Sequence, residues 1–171
     1  MGRIPPFDPR EDMTPWLRGL AVFARQRPVT WFLVNVGNKV DPYLMKATGG
    51  RIKSTISAPT VLLKHTGAAS GKSRETPLAY LTEGDNVVLI ASAGGAPRHP
   101  AWYFNVLANP DVELWSKGKG GRYRAHAANG EERERLWKLA TDFYPGFQRY
   151  QERARDRTIP VVVCEPVEAS D

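Results

Sequence analysis

The spacing of apolar residues changes about one third of the way along the chain. Trp16, Leu20 and Phe23 recur at helical spacing behind Thr14-Pro15, a pair that is typical of a helix N-terminus. From residue 60 onward, short runs rich in β-branched and aromatic residues are separated by Gly, Pro and Asn, as in β-strands. The pattern predicts six strands, at residues 60–66, 76–82, 86–92, 112–116, 122–127 and 159–165.

Turns and helices complete the predicted topology. Hairpin turns are expected at residues 83–85 and 118–121, where glycines separate two strand-like runs. Helices are predicted from His99-Pro100 to just before Asn109-Pro110, from Asn129 onward, and again after Pro145-Gly146. Because alternating β-α-β units are absent, we expect an α+β fold with a small barrel and peripheral helices. We divide the chain into an N-terminal helical arm, residues 1–57, and a barrel domain, residues 58–171.

The chain is basic, and its positive charge is concentrated at the N-terminal end. Lys and Arg number 24 against 18 Asp and Glu, a net charge of +6, and nine basic but four acidic side chains lie in residues 1–57. This balance favours anionic partners. The arm is expected either to pack on its own domain or to make a peripheral contact with a membrane through Trp, Phe and Arg side chains. Nucleic-acid binding is disfavoured, because no interleaved basic and aromatic platform accompanies the charge.

Several enzyme classes are disfavoured by the residues present. His65, His99 and His126 have no metal-ligand spacing, so no metal site is predicted, and no G-x-S-x-G motif occurs. Cys164 lies in an apolar run, where a buried hydrophobic side chain is expected rather than a nucleophile. A single cysteine cannot form an internal disulfide, which fits a reducing, cytoplasmic compartment. No apolar run reaches the length of about 18 residues that a membrane span requires.

A glycine-rich loop after the first predicted strand is one candidate for anion binding. It runs from Gly67 to Ser73, with three rather than four residues between its glycines and no helix after it, so it is not the P-loop of a nucleotide triphosphatase. Its backbone N–H groups, with Lys72 and Arg74, are suited to hold an anion. A solvated hairpin loop is the alternative.

A second glycine-rich segment follows the third predicted strand. Gly94 and Gly95 let a ligand approach the main chain closely, and Arg98 stands just before a helix N-terminus, which attracts anions. Trp102 and Asn105 lie three residues apart on that helix, one flat and apolar, the other able to donate and accept hydrogen bonds. This combination suits a planar heterocycle, with core packing of Trp102 as the alternative.

Three aromatic residues spaced by three form the last candidate group. Tyr144, Phe147 and Tyr150 are predicted to line one face of the helix after Pro145-Gly146. Because buried tyrosine hydroxyls need hydrogen-bond partners, an aromatic wall over a ligand competes here with ordinary core packing.

These segments occur together, in this order, in one known family. The matching residues are Leu62-Leu63, Thr66-Gly67, Ser70-Gly71-Lys72, Arg74, Pro77-Leu78, residues 91–96 and 100–105, Asn109-Pro110, Tyr144-Pro145 and residues 156–160. On them, within residues 58–166, the chain resembles the deazaflavin-dependent nitroreductase family of actinobacteria, whose members are split-barrel proteins that bind coenzyme F420. The resemblance implies a split β-barrel of mostly antiparallel strands and a hydride-carrying 8-hydroxy-5-deazaflavin with an anionic tail.

The resemblance also implies roles for residues of this chain. Its cofactor-binding residues would be Ser70, Gly71, Lys72, Arg74, Pro77, Leu78, Ala91, Ser92, Gly94, Gly95, Arg98, Ala101, Trp102, Asn105 and Phe147. The candidate catalytic residues, which would donate hydrogen bonds to the acceptor, are Tyr150, Tyr144 and Ser92. The implied reaction is hydride transfer from C5 of reduced F420 to a small, planar, electron-poor acceptor, namely a quinone, an enone or a nitro compound.

The chain departs from the family pattern at several positions. Relatives carry basic residues where this chain has Ala68, Ala69 and Ala93, and tyrosine where it has Ala79 and Phe147. Fewer contacts to the cofactor tail are therefore expected, and quinones or enones are favoured over nitro compounds. The alternatives are FMN or haem in the same barrel, or a protein that carries F420 without catalysis. A homodimer is compatible with the barrel, since its relatives often pair.

Overall fold

The computed structural model describes residues 3–7 and 59–167. Apart from residues 3–7, the predicted arm, including the helix after Thr14, lies outside these residues and stays a prediction, as does the division of the chain at residue 57. Across the described part, no helix is both long and apolar enough to cross a membrane.

Six antiparallel strands close into a barrel, which confirms the predicted fold class. They are β1 (Thr60–Thr66), β2 (Ser73–Glu83), β3 (Asn86–Ile90), β4 (Asp111–Ser116), β5 (Lys119–Ala127) and β6 (Val161–Pro166). Their order around the barrel is β1-β2-β3-β6-β5-β4. Strand β2 begins three residues before the predicted start, because Ser73, Arg74 and Glu75 continue the ladder opposite Lys64–Thr66. Closure leaves no free sheet edge along these six strands.

Two tight turns fix the hairpin registers. Gly84, at a φ of +57°, makes the predicted turn between β2 and β3. The second turn lies one position earlier than predicted, at Lys117 and Gly118, whose φ angles of +50° and +76° suit a two-residue hairpin loop. Residues 119–121, expected in the turn, pair with β4 instead.

Strand alternation builds two apolar layers, inside and outside the barrel. Val61, Leu63, Val112 and Leu114 point inward and are at most 4% exposed. On the outside, Val161 and Val163 pack against a helix. Cys164 is fully buried in the interior, and burial raises the pKa of its thiol to about 12, which confirms its expected role as a small apolar residue.

Three helices accompany the barrel near the predicted positions: α1 (Ala101–Ala108), α2 (Gly130–Phe143) and α3 (Gly146–Arg153). Helix α2 presents Leu136, Leu139 and Ala140 to the outer face of the barrel. Tyr144 was expected on the same helix as Phe147 and Tyr150 but follows the end of α2, with its N–H bonded to Ala140 O, because Pro145 and Gly146 separate the two helices. The three aromatics therefore come from two elements.

The N-terminal residues 3–7 lie on the barrel. Ile4 is 5% exposed and its N–H donates to Tyr123 Oη at 3.2 Å. The N–H of Phe7 donates to Thr82 Oγ1 at 2.9 Å, and Phe7 O accepts from the N–H of Thr82 at 3.2 Å. Two steps back along β2, the N–H of Tyr80 donates to Pro59 O at 3.1 Å. Phe7 and Pro59 thus both contact strand β2, at positions two residues apart.

Candidate functional site

A surface pocket of about 390 Å³ lies between the first glycine-rich loop and helix α1. Helix α1 contributes Ala101, Trp102 and Asn105, while β1 and the start of β2 contribute the opposite side. The remaining lining residues are His65, Gly67, Ala68, Ala69, Ser70, Arg74, Glu75 and Thr76. The pocket therefore joins two of the three candidate segments that the sequence indicated.

The loop that forms one wall is a compact turn. The N–H of Gly71 donates to Gly67 O at 2.8 Å, and the N–H of Gly67 donates to Lys72 O at 2.9 Å. A Cβ on Gly67 would stand 2.6 Å from Ser70 Oγ and 3.0 Å from Arg74 Nε, so a larger residue here would push these two side chains away. Ser70, Lys72 and Arg74 are exposed, which leaves their polar groups accessible to an anionic ligand.

Asn105 ties this loop to the barrel. Its Oδ1 accepts from the N–H of Ala68 at 2.9 Å, and its Nδ2 lies 3.2 Å from His65 Nδ1. Because the amide nitrogen donates, His65 Nδ1 accepts, and the ring proton on Nε2 is directed to Thr76 Oγ1 at 3.1 Å. Burial, reinforced by the charge of Arg74, lowers the pKa of His65 and keeps the ring neutral. His65 is thus a satisfied strand histidine, as expected, and it orients Asn105.

The glycines of the second segment lie outside this pocket, in a short 3-10 turn, Ala93–Gly95. Ala93, Gly94 and Gly95 all have positive φ angles, of +48°, +63° and +82°. A Cβ on Gly95 would lie 2.7 Å from Tyr150 O and 2.8 Å from the Cβ of Arg153, so the turn packs directly on helix α3. Two of the three left-handed positions are glycines, as this backbone requires.

A buried arginine holds the carbonyls of this turn. Arg157 is 9% exposed, and its guanidinium donates to Ala91 O at 3.2 Å, Ser92 O at 2.7 Å and Ala96 O at 2.9 Å. Its Nη1 also lies 3.0 Å from His99 Nδ1, so that nitrogen of His99 accepts. Burial and the charge of Arg157 lower the pKa of His99. Arg157 falls within the matching residues 156–160, but nothing in its local sequence predicts partners about 60 residues away.

Aromatic side chains cluster at the N-terminal half of helix α3. The hydroxyls of Tyr144 and Tyr150 are 3.3 Å apart, so either one can donate to the other. The ring of Phe147 lies 5.3 Å from that of Tyr144 and 6.1 Å from that of Tyr150, both edge to face. Trp137 of α2 extends the cluster, with its ring 6.3 Å from Phe147. The aromatics thus pack on one another as an apolar cluster, and their role as a wall over a ligand stays a prediction.

Most of the predicted cofactor-binding and catalytic residues fall into two groups. Ser70, Arg74, Ala101, Trp102 and Asn105 meet in the pocket beside α1. Ser92, Gly94, Gly95, Tyr144, Phe147 and Tyr150 lie at the 3-10 turn, on α3 or just before it. The remaining predicted residues lie outside these two groups. Gly71 and Lys72 are exposed in the first loop, Pro77 is buried in β2, and Arg98 is exposed before α1. Ala91 belongs to the barrel core, and Leu78 is partly buried against that core.

A second cavity of about 390 Å³ is a weaker candidate for an anionic ligand. It is lined by both acids and bases, among them Lys64, Asp111, Glu113 and Arg122. Lys64 Nζ donates to Glu113 Oε1 at 3.0 Å, and this hydrogen bond is the main cause that lowers the pKa of Glu113. Its lysine is therefore already paired.

The site provides hydrogen-bond donors and positive charge rather than a nucleophile or a metal. Within residues 3–7 and 59–167, no group of three or more His, Cys, Asp or Glu is placed to hold a metal ion. Such donors and positive charge are suited to an anionic molecule that supplies its own reactivity.

Comparison with known proteins agrees with this description. The family model for F420H(2)-dependent quinone reductases matches residues 39–166. The chain is 38% identical over 125 residues to an F420H(2)-dependent quinone reductase of Mycobacterium tuberculosis (strain ATCC 25618 / H37Rv), a match that covers 70% of this chain and 83% of that protein.

Two solved structures are similar to the barrel. One, of an F420-H2 dependent reductase (FDR-A), is 46% identical with a TM-score of 0.58 and covers 63% of this chain and 94% of its own. Another, described as a domain-swapped dimer, is 39% identical with a TM-score of 0.60 and covers 81% and 99%. The resemblance drawn from the sequence motifs is confirmed, and the chain belongs to the F420H(2)-dependent quinone reductase family.

Proposed function

We propose that this protein is an F420H(2)-dependent reductase that passes a hydride from C5 of the reduced deazaflavin to a small, planar, electron-poor acceptor, a quinone in the first place. The observation that carries the proposal is the pocket between α1 and the first glycine-rich loop, in a chain of this family. There Arg74 and the exposed loop stand opposite the indole of Trp102.

The residues of the pocket fit such a cofactor. Gly67 allows the loop to fold so tightly that Ser70 and Arg74 converge over it, and a Cβ would fill that space. The exposed side chains of Lys72 and Arg74 match a phosphodiester and a polyglutamate tail in charge. Glu75 also lines the pocket but has an interaction of its own. The donor set is therefore mainly cationic and neutral, as an anionic ligand needs.

Each group of residues has one task in the proposed reaction. When bound, reduced F420 supplies the hydride. The protein's tasks are then to bind and orient the cofactor and to exclude water. Arg74, Lys72 and Ser70 hold the anionic end, while Trp102, Pro77 and Leu78 border the ring. This division of tasks accounts for a site without a nucleophile.

Reduction of a quinone also places negative charge on its oxygen, which a hydrogen-bond donor stabilises. Tyr150 Oη is our first choice for this donor, because the hydroxyl of Tyr144 at 3.3 Å can support it, and Ser92 is the second. The quinone oxygen then takes up a proton from this donor, and solvent returns a proton to the donor. The hydride and the proton together convert the quinone to the hydroquinone.

A binding and turnover experiment tests the proposal. The purified protein is titrated with F420 and with FMN while its tryptophan fluorescence is recorded, and oxidation of reduced F420 is then followed with menadione as acceptor. We expect quenching by F420, none by FMN at equal concentration, and turnover well above the protein-free rate. Binding without turnover would make the protein a carrier, and quenching by FMN alone would sink the proposal.

Two assembly features are proposed with the function. The domain-swapped relative supports a homodimer, which light scattering of the purified protein tests. The basic arm supports a peripheral membrane contact at the cytoplasmic face, and sedimentation with anionic liposomes tests that contact.

A further inference from the structure

Arg157 is a buried arginine whose guanidinium donates to three backbone carbonyls. Its three carbonyl partners, Ala91 O, Ser92 O and Ala96 O, all come from one six-residue stretch on both sides of the 3-10 turn. Among the described residues, no carboxylate forms an ion pair with it. A buried guanidinium is thus stabilised by neutral dipoles alone, which leaves positive charge at the turn.

The turn itself needs external support. Ala93 is not a glycine but has a φ of +48°, and a left-handed residue with a Cβ costs about 1 kcal/mol or more in local energy. Such a conformation persists when its surroundings determine it, and the fork of Arg157 fixes carbonyls before and after it. Gly95 meets Tyr150 and Arg153 on the other side. Arg157 and α3 together hold the turn from two directions.

The segment that carries Arg157 is in turn fixed to helix α3. Gln151 Nε2 donates to Arg157 O at 2.7 Å, and Gln151 Oε1 accepts from the N–H of Ile159 at 2.8 Å. The N–H of Arg157 also donates to Ala154 O at 3.2 Å. Gln151 lies one residue after Tyr150 on this helix. The arginine therefore links the glycine-rich turn to the helix that carries the candidate acceptor-side tyrosine.

We infer that Arg157 is a positioning residue that holds the Ala91–Ala96 segment in the conformation that binds the cofactor, and keeps it in register with α3. The inference rests on the proposed function, since it gives this segment a part in cofactor binding. Arg157 acts through the backbone of the turn, whereas Arg74 and Lys72 act on the ligand directly. The charge of Arg157 and its planar geometry can be tested separately as supports of the turn. Lysine keeps the charge but cannot donate to three carbonyls from one planar group.

The test compares Arg157→Lys with Arg133→Lys. Arg133 is a matched control: its Nη2 donates to Ile159 O at 3.1 Å, close to the segment that carries Arg157, but it does not contact the turn. Both variants are studied well below their melting temperatures. The dissociation constant of F420 is measured by fluorescence, and exchange of the amide hydrogens of residues 91–96 is measured by mass spectrometry.

We expect Arg157→Lys to weaken F420 binding at least about tenfold, since two or more charge-assisted hydrogen bonds are lost. The KM for reduced F420 should rise similarly while the KM for menadione changes less than about twofold. Amide exchange should accelerate in residues 91–96 and not in β1. Arg133→Lys should keep the wild-type values for binding and for this segment.

Unchanged F420 affinity in a folded Arg157→Lys variant would overturn the inference, as would an equal loss in Arg133→Lys. If Arg157→Lys does not fold, Gln151→Glu replaces it, because glutamate still accepts from Ile159 N–H but cannot donate to Arg157 O. That variant should show faster exchange in residues 91–96, and wild-type exchange there would also overturn the inference. If the wild-type protein does not bind F420, the proposed function fails, while the exchange data still decide whether Arg157 holds the turn.

Discussion

Gly146 lies directly against the ring of Tyr144, and a Cβ built on Gly146 would stand 2.2 Å from Tyr144 Cε1. The Tyr144 ring also contacts Phe147, edge to face at 5.3 Å. A methyl group at residue 146 must therefore displace Tyr144 or the start of α3.

We predict that Gly146→Ala lowers the free energy of unfolding by about 1–3 kcal/mol, the usual cost of overpacking, and impairs turnover of quinone more than binding of F420. Urea unfolding and steady-state kinetics measure the two effects. Gly121→Ala is the control, because nothing lies within 4 Å of a Cβ there and it should leave stability nearly unchanged or slightly raised. Equal behaviour of the two variants would contradict the prediction.

Removal of Arg74 should weaken cofactor binding. Arg74→Ala is expected to cost about 1–3 kcal/mol in binding of F420, roughly fivefold to 150-fold in the dissociation constant, because a charge-assisted contact to the anionic end is lost. The measurement is fluorescence titration at two salt concentrations, since the loss should shrink as salt screens the charge. Arg124→Ala, another exposed cation on the barrel, serves as the control and should bind F420 as the wild type does.

Loss of the side-chain amide of Asn105 should reduce stability and F420 binding more than loss of that of Asn109. Asn105→Leu deprives the buried His65 Nδ1 of its donor and releases Ala68, so we expect a loss of about 1–3 kcal/mol in stability and weaker F420 binding. Asn109 Nδ2 makes only a 3.4 Å bond to Thr66 O, so Asn109→Ala should have a clearly smaller effect on both. Chemical denaturation and titration of the two variants side by side give the comparison.

Stability should fall as the pH drops below about 6.5. Both His65 and His99 have pKa values lowered from 6.5, in each case mainly by burial and then by a nearby arginine. The unfolded chain therefore binds protons at a pH where the folded chain does not, so this contribution is complete above 6.5 and is lost below it. Urea midpoints between pH 5.5 and 7.5 measure the slope. His99→Gln should flatten it, and an identical slope in that variant would exclude His99 as a source.

The elements were predictable from the sequence because their signals are local. The alternation of Val61 and Leu63 with outward-facing residues predicts a strand, and glycine at residue 84 predicts the turn after β2. The candidate site was predictable only in part. Lys72, Arg74 and Trp102 are conspicuous in composition, whereas Arg157 acquires its role from carbonyls that tertiary folding brings to it. The aromatic spacing likewise did not reveal that Tyr144 belongs to a different element.

Phe7 and Pro59, which are far apart in sequence, bond to the same strand, β2. Phe7 bonds to Thr82 and Pro59 to Tyr80, two residues apart, a separation of about 7 Å along β2. Cutting the chain at residue 57 would therefore also remove Ile4 and Phe7 from the barrel surface. Because Phe7 and Pro59 lie so close together, a linker of about four Gly and Ser residues can join residue 7 to residue 59 in a shortened protein. The shortened protein is compared with the full-length protein in sedimentation with anionic liposomes. Because it keeps Ile4 and Phe7 on the barrel, any loss of sedimentation reports on the arm. Equal sedimentation of the two proteins would contradict a membrane contact by the arm.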